Sequence, residues 1–337
     1  MMRDWYYYYQ LNQSSKTLYT RLLESYKNRK EKVLCDDLGV STSDLSHVIR
    51  AVEYDNPDMF YVNFRKYRYS FNEDSGKVYS VLLDYLFSVD DYNKLCSVVE
   101  NSSRKIISRL SVEGCSDYNK ILKLHDLIAD NVDYFSEALS REGSFEWYRS
   151  QTILGLLLDK KSVCVGISKA FKYLLNQIGV RSIVVEGTAL NENNIKEGHA
   201  WNIVKIDGSS YHIDMTWDIA ISKNRLRSYN YFNLNDSMIF RDHYSDSVLP
   251  ACSSIEDNYF EKNGKVIHSI ADWHRYLSEN SCKGNYDFYV RIDYKCDLDS
   301  ELKRIVEYIK RNSKGLFVRW KATKDERQNI IRVTVQE

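Results

Sequence analysis

Three residue types, in a fixed order, carry the chemistry of this sequence. Cys164 stands in "KKSVCVGISKAFKYLL", and His199 and Asp214 stand together in "GHAWNIVKIDGSSYHIDMTWD". A thiolate attacks an amide carbonyl. An imidazole, held in one tautomer by a carboxylate, takes the thiol proton and then gives one to the leaving amine. Backbone N–H groups such as that of Cys164 meet the oxyanion that develops. Cysteine, histidine and aspartate in that order therefore predict acyl transfer by a thiol nucleophile, provided the fold brings them together.

The elements that must do so are a helix and a hairpin. Ile167, Ala170, Phe171, Leu174, Leu175 and Ile178 form one apolar stripe that stops at Gly179, so Cys164 falls in the first turn of a helix. There the macrodipole and the unpaired first-turn N–H groups favour a thiolate, and small Val165 and Gly166 leave room for a substrate backbone. Position alone favours the plainer reading, a small buried apolar residue. The hairpin changes that balance. Residues 199–206 and 210–217 alternate as two strands around Asp207-Gly208, a strong two-residue turn signal. With that turn, 206 faces 209, 201 faces 214 and 199 faces 216. His199 and Asp214 then project from one face as diagonal neighbours, roughly 7–8 Å apart at the backbone. A slip of one residue would separate them.

Other histidines compete for the role. His212 shares the face of Asp214, but on the same strand the two would stand side by side. His125, in "ILKLHDLIADNV", sits among core-like apolar positions and reads as structural. His243, in "MIFRDHYSD", can line a cleft, without a spacing that ties it to the others. Gly198 before His199 and Trp201 on its own face suit a strand end that opens on a cleft.

The remainder of the chain bounds the function. Lysine plus arginine and aspartate plus glutamate number 47 each, so no bulk charge is available to hold a nucleic acid or an anionic membrane. The seven cysteines include no C-x-x-C pair, which argues against a disulfide framework or a zinc site. No metal or other cofactor is expected. No secretory leader is visible in "MMRDWYYYYQLNQ", and no apolar run approaches the roughly 20 residues of a membrane span. The expectation is a reduced, cytoplasmic protein. Its "WYYYY" stretch reads as a packed element rather than an interface.

Helices are expected over 13–30 and 43–53, the second capped by "STSD", and over 89–111 and 117–131. Around "NEDSG" the alternation predicts a hairpin with its aromatic residues toward a core. The division that follows is an N-terminal α/β region over 1–113, a catalytic core over 116–255 and a small C-terminal α+β module over 280–337. In that module Leu302, Ile305, Val306 and Ile309 mark one helix face, and the ionisable groups read as a solvated surface.

The ordered set V-C-x-G at 163–166, G-H-A-W-N at 198–202 and H-x-D-x-T-W-D at 212–218 resembles the transglutaminase-like superfamily, in the bacterial form related to transglutaminases, peptide N-glycanases and papain-type thiol peptidases. "DNPDMFYV" upstream and "YNYFNLNDSMIFRDHY" with "LPACSS" downstream are similar to segments that flank this core. The resemblance implies an α+β fold, in which a papain/transglutaminase-like core packs a nucleophile helix on an antiparallel sheet. It also implies Cys164 as nucleophile, His199 as general acid and base, and Asp214 as its orienting carboxylate. Ile167 and Leu154 stand where relatives commonly carry aromatic residues. That leaves the side-chain oxyanion donor open between Gln151 and Trp147.

Two function classes follow. The first is a thiol-dependent enzyme acting on a protein or peptide amide. Hydrolysis is favoured over amine transfer, because water is always present and no shield for a thioester is visible. The second is an inactive, transglutaminase-like module that binds a protein or peptide.

Overall fold

The computed structural model describes residues 5–222, 226–282, 287–312 and 319–336. Residues 1–4, residues 315–318 of the expected C-terminal module, and the Cys282 side chain lie outside the described residues. The architecture is α+β, with two- to four-stranded, mostly antiparallel sheets.

The N-terminal part contains α1 (Tyr6–Gln10), α2 (Gln13–Lys27), β1 (Lys32–Leu34), α3 (Thr42–Asp55), β2 (Arg68–Phe71), β3 (Val78–Leu82) and α4 (Val89–Leu110). Ser41 and Asp44 close a capping box at the head of α3, as "STSD" predicts. The aromatic start is a packed element: the Tyr7 hydroxyl donates to the Val184 carbonyl at 2.5 Å, and the Tyr7 and Tyr8 N–H groups donate to the Asp55 carboxylate. The hairpin around "NEDSG" forms, but its aromatic residues do not face a core. In the order β1-β3-β2 the strand β2 lies at the edge and is exposed throughout, with the Tyr69 and Phe71 rings tilted against each other along it. Val78 and Val81 of β3 carry the burial instead.

The middle of the chain supplies α5 (Asp117–Asn131), β4 (Asp133–Tyr134), α6 (Phe145–Ser150), β5 (Lys161–Ser162), α7 (Cys164–Gln177), β6 (Ser182–Leu190), β7 (Lys196–Ile206), β8 (Ser209–Ile213), α8 (Met215–Ile221), α9 (Asp236–Ile239) and β9 (His243–Tyr244). Four of these strands form a sheet in the order β8-β7-β6-β9. Helix α7 lies on this sheet through its apolar stripe. Polar contacts fix the seat: the Ser168 hydroxyl donates to the Ala200 carbonyl at 3.1 Å, and the Asn202 amide donates to the Ser168 carbonyl at 3.0 Å. The β7–β8 turn has the expected register, Ile206 opposite Ser209 and Asn202 opposite Ile213. Both turn residues have positive φ, 46° at Asp207 and 94° at Gly208, which an Asp-Gly pair tolerates. Strand β8 ends sooner than the alternation suggests. Its last residue is Ile213, because the Asp214 carboxylate captures the N–H groups of Thr216 and Trp217 and starts α8.

One apolar cluster runs from Tyr7 and Val52 through Leu124 and Phe171 to Phe232, so N-terminal helices and the α7 layer share an interior. The C-terminal part, α10 (Tyr259–Lys262), β10 (Val266–Ile267), α11 (Ile270–Cys282), β11 (Phe288–Ile292), α12 (Leu298–Asn312), β12 (Arg319–Asp325) and β13 (Ile330–Gln336), packs its own cluster around Trp273, Phe288 and Ile305. Helix α12 buries Ile305, Val306 and Ile309 as its pattern predicts. The ionisable groups of this part are not simply a solvated surface. Arg291 is buried and donates to Asn258 Oδ1 at 2.7 Å and to Glu261 Oε1 at 2.5 Å. Arg327, in the β12–β13 turn, donates to the carbonyls of Leu190 and Asn191 and lies 5.6 Å over the Trp217 ring. Arg327 thus ties this part to the end of β6 through charged hydrogen bonds.

Candidate active site

The site is built at the head of α7. Val163, its N-cap, offers no side-chain acceptor, so the first-turn N–H groups remain available to an anion. Cys164 is 9% exposed. Gly166 has a different use from the one its size suggests. A Cβ there would lie 2.2 Å from the Ser150 carbonyl oxygen and 2.3 Å from Ser162 Oγ, so the glycine admits the 150–152 segment against the helix rather than a substrate.

Across from this turn, His199 on β7 reaches Asp214 at the head of α8. His199 Nε2 lies 2.7 Å from Asp214 Oδ2, and Cys164 is near enough to the same ring to bear on its proton affinity. Since Nε2 faces the carboxylate, Nδ1 is the nitrogen left for sulfur. Burial by itself lowers the His199 pKa, but the charge and hydrogen bond of Asp214, followed by Cys164, push it up to about 10. Asp214 is fully buried. Burial favours its neutral acid, yet His199 and then His243 hold the carboxyl well below the usual range.

These shifts set a pH window for stability. A histidine whose native pKa is raised contributes stability that is complete below its ordinary value of 6.5 and is lost as pH rises through about 10. An aspartate whose native pKa is depressed contributes above its ordinary value of 3.8, and the contribution is lost as pH falls through the native value. Thermal melting of the folded protein should therefore weaken between pH 6.5 and pH 10. In Asp214→Asn, with no carboxylate to hold the imidazolium, that alkaline decline should flatten. An equally steep decline in both proteins would show that the pair is not coupled.

With Cys164, His199 and Asp214 together, comparison with known proteins becomes informative. The transglutaminase-like superfamily profile matches residues 104–215, a span that includes all three. Residues 104–215 are thus similar to the transglutaminase-like superfamily. Kyphoscoliosis peptidase of Mus musculus is 25% identical over 188 residues, 52% of this chain and 28% of that protein. The chain thus spans well under a third of that relative's length. Among solved structures, a TGase overlaps 47% of this chain and 46% of its own at 20% identity and a TM-score of 0.33. A candidate cysteine protease from Cytophaga hutchinsonii overlaps 49% and 64% at 14% identity and 0.28.

Other residues around the site sort by their contacts. His125 is buried on α5, 3.0 Å from Asp218 Oδ2, and stacks on Tyr229. The final Asp of H-x-D-x-T-W-D therefore serves this structural bond. His212 accepts the Trp201 indole N–H at Nδ1 and faces Asp236 at 2.9 Å through Nε2, away from Asp214. His212, Asp236 and Cys252 bring ligand-type atoms within 4.8 Å of one another. However, Nδ1 already accepts a hydrogen bond, so a neutral ring carries its proton on Nε2, where a metal would need a lone pair. His199, Asp214 and His243 form a second such group, in which both imidazoles are engaged with one carboxylate oxygen through hydrogen bonds.

Of the two oxyanion candidates, Gln151 is buried at the segment packed on α7. Its Oε1 accepts from Arg65 Nε at 3.0 Å, its carbonyl accepts from Lys169 Nζ at 3.0 Å, and its Nε2 has no partner. Trp147 is half-buried on α6 and sits edge-on against Tyr148. Two residues near the site had no spacing in the sequence that tied them to it. Tyr134 on β4 lies beside Cys164; burial first, then the charges of Cys164 and Asp214, raise its phenol. His243 on β9 approaches Asp214 Oδ2 at 3.0 Å.

Proposed function

We propose that this protein is a thiol-dependent acyl-transfer enzyme acting on protein or peptide amides, with Cys164 as nucleophile, His199 as general acid and base, and Asp214 as the carboxylate that orients His199. The observation that carries this reading is the 2.7 Å His199–Asp214 hydrogen bond, made by a ring on whose pKa Cys164, at a helix N-terminus, also acts. The family match and a relative named a peptidase support it.

In this reading the Cys164 sulfur attacks the amide carbon while the carbonyl becomes an oxyanion. First-turn N–H groups of α7 receive that charge. Gln151 Nε2 is preferred over Trp147 as the side-chain donor, because it is an amide nitrogen left without a partner in the segment against α7. As the C–N bond breaks, His199 Nδ1 gives its proton to the leaving amine, and a thioester remains on Cys164. The incoming nucleophile then loses its proton to His199 and displaces the sulfur. Water is the favoured nucleophile, so the products are those of a peptidase or deamidase.

Reduced casein, incubated with the protein in the presence and absence of methylamine and read by peptide mass spectrometry, tests this directly. New peptide termini or deamidated side chains without methylamine incorporation are the expected result. Cys164→Ala should show neither. Methylamine incorporation would move the second step to amine transfer. Turnover that persists in Cys164→Ala would overturn the thiol mechanism, and casein binding without any turnover would favour the inactive module.

A further inference from the structure

The carboxylate that orients His199 is shared by a second histidine. Asp214 Oδ2 lies 2.7 Å from His199 Nε2 and 3.0 Å from His243 Nε2, and its other oxygen, Oδ1, accepts from the N–H groups of Thr216 at 2.9 Å and Trp217 at 3.3 Å. An ionised carboxylate only accepts hydrogen bonds, so both imidazoles present N–H to the same oxygen. Behind His243 the chain continues. Its Nδ1 lies 2.5 Å from Asp242 Oδ1, and Asp242 Oδ2 accepts the Tyr231 hydroxyl at 2.7 Å. His243, Asp242 and Asp214 are fully buried, and Tyr231 is almost so.

We infer that His243 is a positioning residue of the acyl-transfer site: it fixes the Asp214 oxygen that holds His199 and keeps that oxygen an acceptor throughout the proton transfers. The inference rests on the reading of His199 as the acid and base. Asp214 itself excludes the tautomer that leaves Nε2 a lone pair, because that lone pair would face its carboxylate. The Nδ1 side of the ring is closed by the proton it shares with Asp242 Oδ1. Three aromatic rings enclose the imidazole, Trp217 at 4.7 Å, Trp201 at 5.1 Å and Tyr231 at 5.6 Å between centroids. Such faces shield it from water and tolerate positive charge. The backbone is adapted to the same end. At Gly187 on β6, a Cβ would meet the Tyr244 carbonyl oxygen at 2.0 Å and Trp201 Cη2 at 3.0 Å. Strand β9, which carries His243, reaches its place only because that residue is glycine.

The titratable groups around His199 are Cys164 from α7, Asp214 from the head of α8 and His243 from β9, with Tyr134 of β4 beside Cys164. Nitrogen-15 NMR of the imidazoles, with His243→Leu and His243→Gln compared after circular dichroism establishes that each is folded, isolates the contribution of His243. In His243→Leu the midpoint of the His199 titration should fall by about one pH unit, a tenfold change in its proton affinity. The second-order rate of Cys164 alkylation near pH 9 should fall with it. In His243→Gln the side-chain N–H replaces Nε2–H, and most of both effects should be rescued. An unchanged His199 titration in His243→Leu overturns the inference, as does an equal loss in Leu and Gln variants, which marks a merely packing role. Should His243→Leu not fold, the wild-type spectrum at neutral pH decides: Nε2 of His243 should carry a proton, and a lone-pair signature there overturns the inference. Casein turnover combined with an unchanged His199 titration would leave the proposed function standing and remove His243 from it. If casein is not turned over, the titration still reads His243 by itself.

Discussion

Replacing His199 by Ala should lower the rate of acyl transfer by roughly a thousandfold, the range expected when a general acid and base is removed. Cys164 then keeps its place at the head of α7 but loses the group that removes its proton and the group that protonates the leaving amine. The loss should appear in kcat more than in KM, since His199 acts on the reacting atoms. Its pH dependence is equally specific. With the His199 pKa pushed up to about 10, the alkaline limb of the wild-type rate should report that group, and in His199→Ala the limb should vanish along with the activity. A variant that kept more than a tenth of wild-type activity, with the same alkaline limb, would exclude His199 from the mechanism.

Replacing Glu53 by Ala should have the largest effect on stability. Glu53 on α3 is buried and receives the ammonium of Lys169 at 2.5 Å and the guanidinium of Arg65 at 3.3 Å. Burial raises its pKa, but the two cations overcome that and hold the carboxyl below its ordinary range. For Lys169 the balance runs the other way: burial lowers its pKa by more than Glu53 restores. The network is therefore centred on the carboxylate, and without it the Lys169 ammonium remains uncompensated in the interior while Arg65, closer to solvent, loses its partner. Removing one member of a buried pair typically costs about 3–5 kcal/mol, and denaturant unfolding should show a loss of that size. The double variant Glu53→Leu with Lys169→Met should recover much of it, because an apolar pair leaves no uncompensated charge. The consequence extends to the site, since Arg65 and Lys169 are also the donors that hold Gln151. A loss below about 1 kcal/mol for Glu53→Ala would mean that the charges are effectively solvated.

What the sequence revealed, and what it concealed, follows from range. The α7 stripe is local, so its helix and the place of Cys164 were legible from spacing. The Asp-Gly turn fixes register over a few residues, and that register put His199 and Asp214 on one face, as observed. The alternation misled where a local competitor intervened: Asp214 continues the period of β8, but its carboxylate caps α8 instead. In β2 the alternation marks no buried face, because a period tells which residues share a face without telling whether any core meets it, and this edge strand is exposed on both. His243 was hidden for a different reason. Strand β9 has two residues, too few to show a period, and it joins the sheet only through the close approach at Gly187. The Glu53–Lys169 pair and the docking of Arg327 join residues far apart in the chain, and no local pattern marks either.

The central claim is that His199 and the head of α7 make Cys164 a nucleophile unlike the other cysteines. Burial pushes Cys252 up to about 12 and raises Cys35 and Cys296 as well, while Cys96 and Cys115 are half-buried elsewhere on the fold. The most direct measurement is timed alkylation of the folded protein with iodoacetamide at neutral pH, with each cysteine quantified by peptide mass spectrometry. Cys164 should be modified roughly tenfold or more faster than any of these five, and that advantage should disappear in His199→Ala. Alkylation of Cys164 no faster than of Cys96 or Cys115, or an advantage that survives His199→Ala, would contradict the claim.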